Sequence, residues 1–197
     1  MAADLTDIEL WVNLKKGDRI ALNNMYSKYF NSLYQYGMRM LQDENAVYDC
    51  IQNLFVKIWT SHQKLNNVDN LRNYLITSLR NAIINYKATE SRFQKVDLES
   101  NEVFDLKFNL ESDYIKREED GQKGKQLAEA MNQLTGRQKE IIYLRYFEEM
   151  EFAEIAEIMQ LSIKGTYKLS ARALEALREI MKIDKSMLIA ILLAVRA

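Results

Sequence analysis

The sequence contains no proline and only six glycines among 197 residues, so little in it interrupts a regular backbone. Proline would break helices, because it lacks a backbone N–H and its ring clashes with the preceding turn. The single cysteine, Cys50, excludes an internal disulfide and any metal site built from several cysteines. This cysteine usage is typical of a reducing cytoplasm, which is the localisation we expect.

Long apolar runs and catalytic motifs are missing too. No stretch reaches the roughly 18 consecutive apolar residues of a membrane span, so we expect no stable membrane insertion. Residues 1–7 are acidic and lack the apolar segment of a secretory signal. Histidine occurs once, as His62, and no glycine-rich loop follows a strand pattern. We therefore expect no enzyme, no catalytic residues, no metal site and no cofactor.

Charge is unevenly distributed along the chain. Residues 1–95 carry a net charge of +3, residues 96–134 of −5 and residues 135–197 of +1. The acidic middle also loses helical periodicity. We therefore predict an acidic linker at 96–126 between two small helical domains, 1–95 and 127–183, followed by an apolar tail at 184–197. The alternative is a loop inside one domain, although structureless stretches this long are uncommon there.

Hydrophobic periodicity predicts an all-α first domain with helices at about 4–16, 18–41, 43–65 and 70–92. Thr6-x-x-Glu9 is a capping-box pattern at the start of the first helix, and Gly17 follows its end. On the second helix the predicted inward face consists of Leu22, Tyr26, Tyr29, Phe30, Leu33 and Leu41.

The third helix has two contrasting faces at 100° per residue. The predicted core face consists of Val47, Ile51, Leu54, Phe55 and Ile58, and the opposite face of Asp49, Gln52, Asn53, Val56 and Trp59. Apolar residues on a face that water should cover indicate a surface for a partner protein. Alternatively, Trp59 lies under the following loop as part of the core.

The fourth helix shows the same division. Its predicted inward residues are Leu71, Tyr74, Leu75, Ser78, Leu79, Ala82 and Tyr86, and its predicted outer residues are Asn73, Thr77, Arg80, Ile84 and Lys87. Amides, hydroxyls and cations are groups that meet phosphates and base edges. A solvated helix face has a similar composition, so both interpretations stay open.

Residues 135–181 have the pattern of a helix-turn-helix, the frame that delivers one helix to the DNA major groove. Thr135-x-x-Gln138 is a capping-box pattern, and the short helix that follows the break has the predicted inward residues Phe152, Ile155, Ala156 and Met159. Ser162 is placed to cap the second helix of the pair.

That last helix carries cations near its start. Lys164, Lys168 and Arg172 project away from a predicted buried side of Ile163, Tyr167, Ser170, Leu174, Leu177 and Met181. Glu175 and Glu179 follow, and phosphate would repel them, so only the first turns can enter a groove. Lys168 and Arg172 are candidates for base edges, and Arg137 and Ser162 for phosphates.

Taken in order, these parts resemble a known family. Residues 49–59 look like the polymerase-clamp-binding helix of bacterial sigma factors, residues 70–86 like their minus-ten-reading helix, and the helix-turn-helix like their minus-thirty-five-reading domain. Residues 18–182 together resemble the extracytoplasmic-function (ECF) group. The resemblance implies an alternative sigma factor that directs core RNA polymerase to specific promoters. Implied partners are the clamp and flap surfaces of core polymerase, promoter DNA and an anti-sigma factor, with a monomer as the free form.

The resemblance also implies site residues. These are Asp49, Gln52, Val56 and Trp59 for core polymerase; Asn73, Thr77, Arg80 and Lys87 for the minus-ten element; and Arg137, Ser162, Lys164, Lys168 and Arg172 for the minus-thirty-five element. The loop 62–70 is expected to take up an unstacked base. Two alternatives remain: a helix-turn-helix regulator that binds an operator as a dimer without polymerase, and a helical adaptor that binds only proteins.

The sequence departs from the family pattern at three points. Leu134-Thr135 stands where Leu-Pro is usual, Gln160 where such turns often carry glycine, and Gly165-Thr166-Tyr167 where Thr-Val-Lys is commoner. The promoter sequence therefore does not follow from the resemblance.

The C-terminal tail has nine consecutive apolar residues, Met187 to Val195, too few to span a bilayer. It is expected to be either a last helix packed on the final domain or an exposed latch for an inhibitor or the membrane.

Overall fold

The structure, a computed structural model, describes residues 5–94 and 118–194, without the side chains of 91–94 and 118–122. Within these ranges the chain is helical and contains no strand, which confirms the predicted all-α class. The helices of the described residues are α1 Asp7–Lys15, α2 Arg19–Leu41, α3 Glu44–Thr60, α4 Leu71–Gln94, α5 Glu118–Asn132, α6 Gly136–Ile142, α7 Phe152–Met159, α8 Ile163–Met181 and α9 Lys185–Ala194. A 3-10 turn, His62–Lys64, follows α3, and a π-helical turn, Tyr143–Phe147, follows α6.

Helices α1 to α4 belong to one compact unit and α5 to α9 to a second. Most of the predicted linker, 96–126, lies outside the described residues, but α5 already begins at Glu118. The second unit is thus helical ahead of residue 127, where the sequence places the start of the second domain. The charges of this segment favour a linker, yet Leu127, Ala128 and Met131 are buried and hold the helix against the unit.

Capping residues separate the first two helices. The Thr6 hydroxyl accepts the N–H of Glu9 at 3.3 Å, and the Glu9 carboxylate accepts the N–H of Thr6 at 2.8 Å, which confirms the predicted capping box. Gly17 has a φ of +86°, a conformation that glycine adopts at little cost. The Asp18 carboxylate then accepts the N–H of Ile20 at 2.8 Å and opens α2.

The buried face of α2 differs from the prediction. Tyr29 and Leu33 are buried as predicted, whereas Leu22, Tyr26, Phe30 and Leu41 are half-buried or exposed, and Ala21, Met25, Tyr36, Gly37 and Met40 take their place in the core. The reason is a close crossing of helices. A Cβ on Gly37 would lie 2.8 Å from Cγ1 of Val47 in α3 and 3.7 Å from Cδ1 of Ile83 in α4. The crossing therefore requires a small residue at position 37, while Met25, Tyr36 and Met40 fill the core around it. The prediction followed the bulky aromatics on the neighbouring side of α2.

Those aromatics form a cluster at the edge of α2 and α3. The Phe30 ring centroid lies 5.2 Å from that of Tyr26, 5.9 Å from Tyr34 and 5.7 Å from Tyr48. Tyr26 and Tyr48 are exposed. The cluster therefore leaves aromatic surface beside the outer face of α3.

The second unit is built around α8, which contacts α5, α6, α7 and α9. The predicted capping box of Thr135 and Gln138 opens α6 and is confirmed. Ile155, Ala156 and Met159 are buried as predicted for α7, and Phe152 is half-buried.

The turn between α7 and α8 runs through left-handed backbone. Gln160 ends α7 with a φ of +53°, a conformation that costs a non-glycine residue about 1 kcal/mol. The chain therefore makes the turn without the usual glycine and at the expense of some backbone strain. The Ser162 hydroxyl then accepts the N–H of Gly165 at 3.1 Å, which confirms the predicted N-cap of α8.

The C-terminal tail folds as α9. Leu188, Ile191 and Leu192 are buried, and α9 contacts α5, α8 and the π-helical turn. This packing supports the last-helix alternative over the exposed latch. In the two described ranges, no helix combines the length and hydropathy that a membrane span requires.

Candidate functional site

The outer face of α3 presents the predicted polymerase residues. Asp49, Gln52 and Val56 are exposed, Val56 to 53%, while the whole predicted core face on the other side is buried. We call Asp49, Gln52, Val56 and Trp59 the α3 stripe. Sequence reasoning missed Tyr26 and Tyr48, although the spacing of Tyr26, Phe30 and Tyr34 on α2 is a detectable signal.

Trp59 ends the stripe and is half-buried. Its ring stacks on His62 of the following 3-10 turn, with centroids 5.0 Å apart, and the Arg19 guanidinium lies 5.8 Å from the Trp59 ring centroid. The alternative that places Trp59 under the next loop is thus partly right. The indole is held in one orientation and keeps part of its surface in solvent.

The predicted outer face of α4 is wrong for two of its residues. Asn73 and Arg80 are both only 6% exposed. The reason is that α4 contacts α1, α2 and α3, so its buried arc is wider than that of a helix with one neighbour. Ile76 and Ile83, absent from the predicted inward face, are fully buried.

The other two residues predicted for the minus-ten element, Thr77 and Lys87, are both half-buried. Thr77 is half-buried, and its Oγ1 is buried and has no hydrogen bond among the described residues. Lys87 is half-buried, and Asn85, which sequence reasoning missed, is exposed on another face of the helix. The end of α4 therefore offers more accessible polar surface than its middle.

The loop 62–70 is tied to α1. The Trp11 indole N–H donates to the Asn66 carbonyl at 3.0 Å, and Lys15 Nζ donates to the Asn67 side-chain oxygen at 2.8 Å. Asn70 caps α4, since its side-chain oxygen accepts the N–H of Asn73 at 3.0 Å. The middle of the loop is therefore held to α1, and its C-terminal end is held to the start of α4.

Helix α8 presents its cations as predicted. Lys164, Lys168 and Arg172 are exposed, and so is Ser162. Arg137 is exposed as well and donates to the Met159 carbonyl at 3.4 Å, so it reaches the end of α7. The residues predicted to face DNA thus lie on α8 and at its N-cap, together with Arg137 of α6 beside the end of α7.

The predicted buried side of α8 is wrong at two positions. Ile163 and Tyr167 are each 54% exposed, while Thr166, Ser170, Ala173, Leu174 and Leu177 form the buried face. The contact with α6 and α7 is made partly by small residues, because small side chains let helices approach closely.

The single cysteine is poorly suited to act as a nucleophile. Cys50 is buried, and burial, followed by the charge of Asp49, raises the pKa of its thiol. A thiol with a raised pKa is a poor nucleophile at neutral pH. No three His, Cys, Asp or Glu side chains gather as a possible metal site in the part of the chain that the structure describes.

Two family models match the chain. Sigma-70 region 2 matches residues 25–93, from α2 into α4, and Sigma-70 region 4 matches residues 124–177, from α5 into α8. RNA polymerase sigma factor YlaC of Bacillus subtilis (strain 168) is 23% identical over 74% of this chain and 83% of its own length. ECF RNA polymerase sigma factor SigX of the same organism is 21% identical over 81% of this chain and 82% of its own length. The chain belongs to the ECF sigma factors.

Two solved structures share the fold of this ECF sigma factor. The structure of CnrH in complex with the cytosolic domain of CnrY has a TM-score of 0.60 and 18% identity, covering 89% of this chain and 97% of that chain. The sigma factor RpoE in complex with the anti-sigma factor NepR, from Bartonella quintana, has a TM-score of 0.58 and 20% identity, covering 82% and 97%.

The function follows from the family. The ECF sigma factor directs core RNA polymerase to specific promoters for transcription initiation, and both RNA polymerase and promoter DNA are its partners. Sigma factors are initiation factors rather than enzymes. A helix-turn-helix regulator without polymerase binding is not favoured, because region 2 matches alongside region 4.

Proposed function

We propose that the ECF sigma factor binds the clamp of core RNA polymerase through the α3 stripe. The observation that carries the proposal is Val56, an apolar side chain 53% exposed on a helix whose other face is core. The centres of protein interfaces are depleted in charged residues and enriched in aromatic residues. The exposed Tyr26 and Tyr48 add aromatic surface to the stripe. The flap surface of polymerase is proposed as a further contact, as the family resemblance implies.

The proposal assigns the minus-ten element to the loop 62–70 and the accessible end of α4. Lys87 supplies a cation there, and Asn85 supplies an exposed amide on another face of α4; both are groups that meet phosphates and base edges. Asn73 and Arg80 support α4 from its buried side instead. A loop held at its middle and at its C-terminal end offers a fixed frame for an extruded base, whose unstacking costs a few kcal/mol.

Replacing Lys87 with alanine is expected to reduce promoter melting several-fold at unchanged core-polymerase affinity, because a phosphate contact at the melted strand is lost. Permanganate reactivity of promoter thymines measures melting. Lys16→Ala removes the same charge from an exposed position that directly follows α1, and it is expected to melt promoters normally. If the promoter thymines react equally with permanganate for both variants and the parent chain, Lys87 of α4 does not contribute to promoter melting.

For the minus-thirty-five element the proposal assigns base contacts to Lys168 and Arg172 of α8, and phosphate contacts to Lys164, Ser162 and Arg137. All five are exposed, and the first anion of α8 is Glu175. The cations on the first turns attract phosphate, and the anions on the later turns repel it. Only the N-terminal half of the helix can therefore lie close to the DNA backbone. This matches the way in which a recognition helix enters the major groove.

We expect Lys168→Ala and Arg172→Ala each to cost about 1–3 kcal/mol of holoenzyme binding to a promoter duplex and to relax base preference. Lys164→Ala should instead weaken all sequences alike and reduce the salt slope by about one. Binding isotherms across salt concentrations measure both effects. Lys185→Ala is the control, since it removes an exposed cation beyond the far end of α8.

The same isotherms distinguish the alternatives. Unchanged affinity and base preference in all three α8 variants would show that this helix is not the reader. One chain per duplex is expected for a sigma factor that is monomeric when free, whereas two chains on a palindromic site would support the regulator.

The proposal includes an anti-sigma factor as a further partner and the cytoplasm as the location. The solved relatives CnrH and RpoE are in complex with the cytosolic domain of CnrY and with the anti-sigma factor NepR. An inhibitor that covers the α3 stripe would compete with core polymerase. Binding of both at once, measured by co-sedimentation, would place the inhibitor elsewhere.

A further inference from the structure

Two large apolar side chains are exposed on the helix that carries the DNA-facing cations. Ile163 and Tyr167 are each 54% exposed and stand four residues apart, so they lie on one side of α8 about one turn apart. Lys164 and Lys168 each follow one of them in sequence. The first two turns of α8 thus present an apolar strip next to a basic strip.

The core explains only part of the apolar strip. The face of α8 that packs on its neighbours consists of Thr166, Ser170, Ala173, Leu174 and Leu177. Ile163 and Tyr167 lie at the edge of that face on the first turns of α8, where each side chain stays 54% exposed. The exposed part of the two side chains is therefore available to a partner.

Tyr167 is held in place by a stack of side chains. Its ring centroid lies 4.1 Å from that of Phe152 at the start of α7, and the Arg145 guanidinium lies 4.9 Å from the Phe152 ring centroid. Arg145 in turn donates to the Met150 carbonyl at 2.8 Å. A side chain ordered before binding loses less conformational entropy on binding.

We propose that Ile163 and Tyr167 read thymine methyl groups in the minus-thirty-five element. The inference rests on the proposed entry of α8 into the major groove. Thymine alone among the four bases carries an apolar group on its major-groove edge, the C5 methyl, and apolar side chains are its natural contacts. Lysine and arginine read guanine acceptors instead, so the two strips of α8 read different bases.

The spacing of the two residues limits where these thymines lie. Four residues of helix rise about 6 Å, and successive base pairs rise about 3.4 Å. The two methyl groups are therefore expected within about three successive base pairs, on either strand. The bases bonded by Lys168 and Arg172 should adjoin this window.

The test removes single methyl groups from DNA. Promoter duplexes are first selected by the holoenzyme from a pool randomised in the minus-thirty-five region. Each thymine of the selected element is then replaced by deoxyuridine, which lacks only the C5 methyl. We expect about a threefold to fourfold loss of affinity at one or two positions, because the free energy gained by burying one methyl group is lost.

The protein variants assign that loss to the two residues. In Ile163→Ala and Tyr167→Ala the sensitive positions should no longer distinguish thymine from deoxyuridine. Tyr167→Phe should distinguish them as the parent chain does, because it keeps the ring. Exposed side chains are removed in each case, so the fold should persist, and circular dichroism verifies it.

Three results would overturn the inference. They are unchanged affinity for every deoxyuridine duplex, undiminished sensitivity in both alanine variants, and lost sensitivity in Tyr167→Phe, which would make the hydroxyl the reader. Lys168→Ala on the same duplex separates this failure from that of the proposed function. If it weakens binding while deoxyuridine has no effect, α8 still reads DNA but not through methyl groups.

Discussion

Leu192→Ala is expected to lower the free energy of unfolding of the second unit by about 2–5 kcal/mol, the cost of emptying a buried leucine site. Leu192 is fully buried on α9, between this helix and its neighbours α5 and α8, while the adjacent Leu193 is 48% exposed. Leu193→Ala is therefore a matched control, and a change within about 0.5 kcal/mol is expected.

The measurement can separate the two units. Both tryptophans, Trp11 and Trp59, lie in the first unit, so their fluorescence follows that unit in a urea titration. Far-UV circular dichroism follows the helices of both units. A loss seen by dichroism with unchanged tryptophan fluorescence would place the effect in the second unit. Equal stability of the two leucine variants would contradict the packed helix and return α9 to the role of a latch.

The double variant Gln52→Ala/Val56→Ala is expected to bind core polymerase roughly 30-fold more weakly, since truncation at the centre of an interface can cost about 2 kcal/mol. Both side chains are exposed, so the fold should be unaffected. Trp59 is left intact, because its contacts with His62 and Arg19 make its loss a structural change as well.

Gln35→Ala is the control for the glutamine part of this variant, because it truncates a glutamine at an exposed position of α2. Competition for fluorescently labelled core polymerase gives the affinities. If the double variant binds within about twofold of the control, the α3 stripe is ordinary solvent-exposed surface and the clamp contact lies elsewhere on the sigma factor.

Local features of this fold could be predicted from the sequence. The capping boxes at Thr6 and Thr135, the N-cap at Ser162 and the core face of α3 depend on residues close in sequence and were predicted correctly. A helical wheel gives the period of a helix. It does not give the number of its neighbours.

The errors follow from that limit. Three neighbours around α4 bury Asn73 and Arg80, and no wheel of α4 alone contains that information. On α2 and α8 the helices meet at small residues such as Gly37 and Thr166, whereas hydrophobicity alone favours the aromatics and isoleucine nearby. The cations of α8 were placed correctly, because a charged face needs no partner to be exposed.

Gly37 connects the two proposed surfaces of the first unit. Val47 of α3 and Ile83 of α4 both approach the position that a Cβ on residue 37 would occupy. Helix α3 carries the polymerase stripe and α4 the promoter-facing end. Because glycine has no Cβ at this position, α3 and α4 can both pack closely against α2 there. A side chain at residue 37 would push α3 and α4 away from α2. It would thereby move the polymerase-binding surface relative to the promoter-binding surface, although residue 37 contacts neither partner.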